Sequence, residues 1–457
     1  MAAFAAVGVG GGGLGLYPDL AGGPRVTPEL VSDRQGPPAV SVIIAYFNDP
    51  EGLDAVLGGL RQQTYPGSFQ VIVTDDGSTI PPPVVHGAEG PGGTEVVVVH
   101  QADRGFRLAA ARNLGAQVAT GEVLVFLDGD TVPCPGYLSA VTEALETAPK
   151  SVVVGTRTHL DMDVEPPRDL GEPGWLAEAW LTTDHLRGGD ETNFRFMIGA
   201  VLSCRREVFE TIGGFDGSIV GYGGEDWEFA WQAHLGGFDL RHEPQAVATH
   251  RGADWGARNR ADPVEAILQK NAETTRLSPK ITHPTMRAAG VLHAVPDIHV
   301  LWIPGDGERR WRAGVTAVVL TSLLAAGDVR VQLVTQENLD LFEADPRVEI
   351  HHDLPGAGNR AQAGRSRARP RFRVELLAPC QIPAGGLQSV CEQIATSGSC
   401  ADVVNARGKL LCRVRPERAV AQGRTGLNRV VRAWSVIQED ISLEDEFRRS
   451  GLARLKQ

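Results

Sequence analysis

Residues 122–130 read EVLVFLDGD, an apolar run that ends in the acidic turn Asp128-Gly129-Asp130. The run has the length of a buried strand, and Asp-Gly is a common turn former. A second run, AVSVIIAYF at residues 39–47, has the same length and β-branched content. We therefore predict two core strands of one sheet, one of them followed directly by paired acids.

Helix-like segments separate these strands. Residues 53–63 space their apolar side chains with a helical period and residues 108–119 are rich in alanine, whereas residues 69–74 and 96–100 read as further strands. Alternation of this kind predicts an α/β fold, a mostly parallel sheet with helices on both faces. Ligands of such sheets bind at the carboxyl ends of the strands.

The chain length of 457 residues exceeds that of one ordinary domain. We predict a flexible, Gly/Pro-rich N-terminal tail at 1–37, the main α/β domain at 38–288 and a smaller α/β domain at 289–457.

The composition is that of a globular protein, with 42% hydrophobic and 22% charged residues. The net charge of −12 repels phosphate backbones, so a nucleic-acid partner is not expected. Six widely spaced cysteines without a Cys-x-x-Cys pair favour a reducing compartment, the cytoplasm. The apolar run at 315–327 is shorter than the ~20 residues of a membrane span, so we predict no transmembrane segment. A peripheral membrane contact and the oligomeric state stay open.

Acidic residues follow three of the predicted strands. Asp75 and Asp76 follow the second strand, Asp128 and Asp130 follow the fourth, and Asp49 lies just past the first. Carboxylates at one rim repel each other unless a cation or hydrogen-bond donors offset them. Turn chemistry explains each pair alone, but the two pairs together favour a site for a divalent cation that carries a diphosphate.

Five motifs in order extend this pattern: SVIIAYFND, VTDDGS, GFRLAAARNLGA, GEVLVFLDGDTVP and GGFD followed by GYGGEDWEFAWQAHLGG. Together they resemble the family 2 glycosyltransferases of the GT-A fold. The last motif is similar to the acceptor-side segment of β-1,4-galactosyltransferases and chondroitin synthases. The resemblance covers residues 38–285, just over half of the chain.

The resemblance implies roles for the acids at the strand ends. Asp76, with Asp75 beside it, would hold the uracil and ribose of the nucleotide. Asp130 would bind Mn²⁺ or Mg²⁺ directly, and Asp128 would face the ribose or a water on the metal. His250 stands where many relatives supply a histidine to the same ion, although a single histidine at a strand end is more often structural.

Three residues of the third motif, Arg107, Arg112 and Asn113, would flank the donor according to the same resemblance. A guanidinium there could bind phosphate or orient an acid. For Arg112, a charge on the helix surface is an equally good interpretation.

The segment before the last predicted helix indicates the acceptor side. Trp227, Ala230, Trp231 and His234 recur at helical spacing, which starts a helix near Glu225. Acids in a first helical turn are often simple capping. Because three glycines and an aromatic residue precede them, we assign Asp226 as general base and Glu225 as its acceptor-binding partner, and the reverse assignment stays open. The predicted substrate-binding residues are Tyr222, Gly223, Gly224 and Trp227.

These residues predict a metal-dependent glycosyltransferase that moves a sugar from a nucleotide-sugar, a UDP-sugar by resemblance, to a hydroxyl of a saccharide or other acceptor. The resemblance favours inversion at the anomeric carbon, whereas residue spacing does not distinguish inversion from retention. One alternative is a non-catalytic sugar- or nucleotide-binding scaffold. A nucleotidyltransferase is disfavoured, because residues 46–49 (YFND) stand where its glycine-rich phosphate loop would lie.

Donor and acceptor specificity are assigned to a loop at 160–193, whose Trp175 and Trp180 could stack on sugars or pack inside.

The remainder of the chain reads as a degenerate second copy of the opening β-α-β unit. Strands are predicted at 298–304, 329–335, 372–377 and 409–414, with a terminal helix. Gln336-Glu337 replaces the acid pair, so no catalysis is expected in this half. Six arginines in this half are interpreted as a solvated basic loop: Arg360, Arg365, Arg367, Arg369, Arg371 and Arg373.

Overall fold

A computed structural model of the chain describes residues 36–84, 86–87, 93, 96–188, 190–252, 263–288, 290–302, 313–335, 339–351, 368–383, 385–424, 427–432 and 435–436. The predicted N-terminal tail lies outside these residues except for Gly36 and Pro37, and the predicted terminal helix lies outside them as well.

Within the described residues, the first sheet has nine strands in the order β3-β2-β1-β4-β8-β6-β9-β5, with β7 paired to β6. Its strands are β1 (Val40–Tyr46), β2 (Phe69–Asp75), β3 (Val96–His100), β4 (Val123–Asp128), β5 (Thr131–Pro133), β6 (Ser151–Asp161), β7 (Arg168–Gly171), β8 (Val201–Arg205) and β9 (Asp239–His250). Strands β1 to β4 are mutually parallel, so the carboxyl ends of β2 and β4 lie at one edge on either side of β1. The far side is mixed, because β8 runs antiparallel to β4 and β6 while β6 and β9 are parallel.

The strands of the first sheet alternate with helices. These are α1 (Pro50–Arg61), α2 (Leu108–Val118), α3 (Tyr137–Thr147), α4 (Gly174–Thr182), α5 (Arg206–Ile212), α6 (Glu225–Leu235) and α7 (Pro263–Leu277). Helix α1 begins where Asp49 accepts a hydrogen bond from the Gly52 amide and Pro50 occupies the first helical position. Asp49 therefore caps α1 at the same edge of the sheet as the two acid pairs, because β1 lies between β2 and β4 and runs parallel to both.

The second sheet has seven strands in the part of the chain that the structure describes, in the order β12-β11-β10-β13-β16-β15-β17. Its strands are β10 (Ile298–Trp302), β11 (Val329–Val334), β12 (Val348–His351), β13 (Phe372–Leu376), β15 (Cys400–Val404), β16 (Leu410–Pro416) and β17 (Leu427–Arg432), and β14 (Cys380–Gln381) pairs separately with β18 (Ser435–Val436). The helices are α8 (Ala313–Leu324), α9 (Gly386–Ser397) and α10 (Glu417–Ala421). The parallel pair of β10 and β11 joined through α8 repeats the opening β-α-β arrangement, as predicted.

The predicted fold class is confirmed: an α/β sheet with helices on both faces, followed by a smaller sheet. No helix among the described residues is both long enough and apolar enough to cross a lipid bilayer.

The prediction that residues 160–193 form a loop is wrong, because this stretch contains β7, α4 and the start of a 3₁₀ turn at Glu191–Phe196. The role of this stretch in donor and acceptor specificity stays a prediction. Trp180 is buried and stacks on His242 with ring centroids 4.0 Å apart, whereas Trp175 remains half exposed. Helix α4 has nine residues, too few for the spacing of its apolar side chains to indicate a helix from sequence alone.

The basic-loop interpretation is wrong for two of its six arginines. Arg371 is buried and forms ion pairs with Glu191 and Asp297, and Arg373 forms an ion pair with Glu417. Both belong to or adjoin β13, where partners from distant segments meet them. Arg360, Arg365 and Arg367 lie outside the described residues.

Candidate active site

The acid pair at the end of β2 is buried and fully hydrogen bonded. Asp75 accepts from the Ser78 amide at 2.9 Å and pairs with His100 Nδ1 at 2.8 Å. Burial raises the pKa of Asp75, but the bonds to Ser78 and His100 outweigh it, so the pKa lies below its usual value. Asp76 accepts from the Arg107 amide at 2.8 Å and from the Gln101 side chain. The pair thus fixes the chain segment that follows β3.

The second acid pair lies one strand beyond β1, at the end of β4. Asp130 Oδ1 is 3.3 Å from His250 Nδ1 and 3.2 Å from the Thr131 hydroxyl. This contact follows from the sheet, because Thr131 on β5 is the register partner of His250 on β9. Burial raises the pKa of Asp130, but the hydrogen bond and charge of His250 lower it by more, so it lies below the usual range.

A divalent cation fits the donor chemistry of this corner. Asp130 offers a carboxylate and His250 an imidazole, a donor set suited to Mn²⁺, and phosphate and water oxygens commonly complete such sites. Among the described residues, no three side chains of His, Cys, Asp or Glu form a complete metal cage. Within these residues, Asp130 and His250 therefore offer only part of a metal ligand set.

Arg112 joins the two sides of the site. Its Nη2 donates to Asp128 Oδ1 at 2.8 Å, and its Nη1 donates to Glu225 Oε1 at 2.9 Å. Burial lowers the pKa of Arg112, but the charges of Asp128 and Glu225 raise it above its usual value. The surface-charge interpretation of Arg112 is therefore wrong, since the side chain is 1% exposed and orients two acids from α2.

The acids Glu225 and Asp226 occupy the first turn of α6, as predicted. Asp226 Oδ2 accepts from the Gly199 amide at 3.1 Å, and its Oδ1 accepts from the Trp227 amide at 2.8 Å. Burial, followed by the charge of Asp226, raises the pKa of Glu225. Burial also raises the pKa of Asp226, against the lowering effects of Gly199 and Arg112. An acid with a raised pKa is suited to accept a proton near neutral pH.

The glycine loop before α6 is held from α7. Arg276 donates to the carbonyls of Tyr222 and Gly223 at 2.9 and 3.1 Å. Gly224 has a φ of +92° and directly precedes the helix, a conformation that glycine adopts without strain. Tyr222 is 56% exposed, with its ring centroid 5.7 Å from that of Phe106. The loop thus presents an aromatic face beside the two acids.

The remaining predicted residues lie around this centre. Arg107 contributes its amide to Asp76. Asn113 exchanges two hydrogen bonds with the backbone of Phe215, which fixes the GGFD turn. Trp227 lies under Lys270, whose Nζ is 4.1 Å from the ring centroid.

Sequence reasoning missed several contributors to the site. Gly199, Lys270, Glu273 and Arg276 each touch the acceptor-side segment, yet none belongs to a motif of the first domain. Gly199 lies so close to Arg112 that a Cβ would be 2.4 Å from Nη1. Only the three-dimensional proximity of α2, α6 and α7 identifies them.

Comparison with known families agrees with this geometry. Residues 41–213 match the family described as glycosyl transferase family 2, and residues 191–251 match the N-terminal domain of galactosyltransferase. These two matches together span the first sheet and its acidic rim. Residues 41–213 are thus similar to glycosyltransferase family 2.

Similar curated proteins include validoxylamine A glucosyltransferase of Streptomyces hygroscopicus subsp. limoneus, 32% identical over 44% of this chain and 49% of that protein. Chondroitin synthase of Escherichia coli is 26% identical over 54% of this chain and 40% of its own length. The chain thus spans about half or less of the length of these relatives. A solved structure, mannosyltransferase PcManGT from Pyrobaculum calidifontis with GDP-Man and Mn²⁺, is 20% identical, with a TM-score of 0.39 over 54% of this chain and 67% of that one.

Proposed function

We propose that the chain transfers a sugar from a UDP-sugar to a hydroxyl of a saccharide acceptor, with inversion and with a divalent cation, and that Asp226 is the general base. The observation that carries this proposal is the bridge through Arg112. It brings Asp128, at the nucleotide-side edge of the sheet, and Glu225, at the start of α6, onto one guanidinium although they are far apart in sequence.

Donor binding falls on the rim of β2 and β4. Asp75 and Asp76 are held rigidly by Ser78, His100 and the Arg107 amide, so their environment is preorganised for a nucleoside. Asp130 and His250 would hold Mn²⁺ or Mg²⁺, which supplies positive charge where the leaving diphosphate develops negative charge. Asp128 is oriented by Arg112.

Acceptor activation falls on the first turn of α6. Asp226 would take the proton of the acceptor hydroxyl as that oxygen attacks the anomeric carbon, while Glu225 orients the acceptor. Burial raises the pKa of Asp226 while the Gly199 amide and Arg112 act to lower it, and Tyr222 offers a flat face to a sugar ring. One displacement at the anomeric carbon by this route inverts its configuration.

The names of two similar proteins support a saccharide as the acceptor. The similar proteins named chondroitin synthase and hyaluronan synthase build saccharide chains according to their names, and this chain shares 26% and 28% identity with them. The six cysteines are free, which supports a reducing compartment, the cytoplasm, with a peripheral membrane contact left to experiment.

Two measurements test the proposal. Titration calorimetry should show UDP binding that strengthens with Mn²⁺. Mass spectrometry should then show sugar transfer from one of a panel of nucleotide-sugars to saccharide acceptors. UDP binding without transfer from any donor would favour a non-catalytic scaffold, and absence of both would refute the proposal.

A further inference from the structure

Side chains from the C-terminal half of the chain form hydrogen bonds at the C-terminal end of helix α6. Arg418 of α10 donates through Nη1 to the carbonyls of His234 and Phe238, and through Nη2 to Asp239 Oδ1 at 2.6 Å. Gln422 donates to the Gly237 carbonyl at 2.8 Å. A cation bound to the last carbonyls of a helix satisfies acceptors that the helix itself leaves open. The C-terminal end of α6 is therefore fixed from the second sheet.

A second residue of the C-terminal half, Arg371, contacts the 3₁₀ turn Glu191–Phe196, which packs against α6. Arg371 precedes β13 and binds Asp297 with both Nε, at 2.8 Å, and Nη2, at 2.9 Å. Its Nη1 donates to Glu191, which begins the 3₁₀ turn of the first half. Glu191 also lies 3.2 Å from His283 Nε2. Arg371 and Asp297 are buried and Glu191 is partly buried, since the side chains of Arg371, Asp297 and Glu191 are 5%, 10% and 18% exposed.

The 3₁₀ turn in turn supports the candidate base. Phe194 packs edge-on against Trp227 and Trp231 of α6, with centroid distances of 6.1 and 5.4 Å. Three residues beyond the turn, the Gly199 amide donates to Asp226 Oδ2. A shift of Glu191 would therefore move both the aromatic support of α6 and a hydrogen-bond donor to the base.

We propose that Arg371 is a positioning residue for sugar transfer, acting through Glu191 and the 3₁₀ turn to place the Gly199 amide and α6 around Asp226. The inference rests on the proposed function and adds that a residue beside the second sheet positions the groups around Asp226. Arg371 touches none of the reacting atoms. Its planar guanidinium spans Asp297 and Glu191 together, which the single ammonium of lysine does not reproduce.

Arg371→Met in the full-length chain tests this inference, with Arg347→Met as matched control. Arg347 also forms an ion pair, with Asp345, but its partners all lie in the second half. We expect Arg371→Met to retain the affinity for UDP with Mn²⁺ within about twofold, because the donor rim is untouched. The kcat of transfer, with the donor and acceptor that the mass-spectrometric panel identifies, should fall roughly 10- to 100-fold, since displacements of about 1 Å have effects of that size.

A pH profile separates positioning from general loosening. Asp226 is faced by Glu225 on its own helix, Arg112 on α2, Glu273 on α7 and the Gly199 amide. Loss of the Gly199 hydrogen bond raises the pKa of Asp226, so the acid limb of kcat should move to higher pH in Arg371→Met. It should not move in Arg347→Met.

The outcomes are distinct. A folded Arg371→Met with wild-type kcat and acid limb overturns the inference, and so does an equal loss of UDP affinity and kcat without a shifted acid limb. If Arg371→Met does not fold, Glu191→Gln decides: it keeps the shape and a hydrogen-bond acceptor but removes the charge. We expect a several-fold lower kcat with the same shift of the acid limb, and unchanged values overturn the inference. A wild-type chain that transfers no sugar refutes the proposed function itself.

Discussion

Replacing Arg112 with methionine should destabilise the protein strongly and in a pH-dependent way. The side chain is 1% exposed, and its partner Glu225 is 7% exposed, so removal of the guanidinium leaves a buried carboxylate without its cation. Breaking a buried ion pair by removing one partner costs about 3–5 kcal/mol. The other partner, Asp128, is 31% exposed and adds less, because water can replace part of the lost interaction. We therefore expect a loss of about 3–5 kcal/mol in the free energy of unfolding.

The pH dependence follows from Glu225. Its folded-state pKa is already raised by burial and by Asp226, and loss of Arg112, which lowers it, raises it further. A carboxyl group with a raised folded pKa favours the folded state below its unfolded pKa of ~4.3, and this contribution is lost as pH rises through the folded pKa. The wild-type pKa of Glu225 is about 7, so the difference between wild type and Arg112→Met should develop mainly above that pH and be larger at about pH 8 than at about pH 5.

Urea denaturation followed by tryptophan fluorescence measures this difference at both pH values. Trp231, fully buried beside the site, provides a signal. A loss below about 1 kcal/mol at the higher pH, or an equal loss at both, would refute the buried bridge, because an exposed ion pair contributes no more than that.

Three further predictions concern the same centre. Gly199→Ala places a Cβ 2.4 Å from Nη1 of Arg112, a side chain that two ion pairs hold in place. Denaturation should therefore show a free energy of unfolding lower by about 1–3 kcal/mol. Gly58→Ala, with open space around its Cβ, is the control and should leave the free energy of unfolding unchanged. His250→Ala removes an imidazole beside Asp130, and calorimetry in the presence of UDP should show Mn²⁺ affinity lowered by about tenfold or more; unchanged affinity would exclude His250 as a ligand. Because burial raises the pKa of Asp226, the acid limb of kcat should lie at higher pH than for an ordinary aspartate, and stopped assays across pH would reveal a limb at or below the ordinary value if this is wrong.

The strands and the acidic rim were predictable because their signals are local. Strands β1 to β4 are short apolar runs, and the register of parallel strands brings residues after β2 and β4 to one edge without further information. The start of α6 at Glu225 followed from helical spacing in the same way.

Pairings between distant segments were not predictable. Nothing in the sequence near Arg112 shows that Glu225 and Asp128 meet it, so a buried bridge and a surface charge looked alike. The ion pairs of Arg371 were not predictable for the same reason, since its neighbours in sequence are basic and its partners Asp297 and Glu191 come from other segments. Burial of a charge depends on tertiary contacts that a local pattern does not contain.

Asp226→Asn, compared with Asp54→Asn on the exposed face of α1, is the sharpest single measurement of the proposed chemistry. The amide keeps the size of the side chain but takes up no proton from the acceptor. The variant should bind UDP with Mn²⁺ as the wild type does, while kcat of sugar transfer falls by about 10²–10⁴-fold and the control is unaffected. Transfer at the wild-type rate by Asp226→Asn would contradict the assignment of the base on α6.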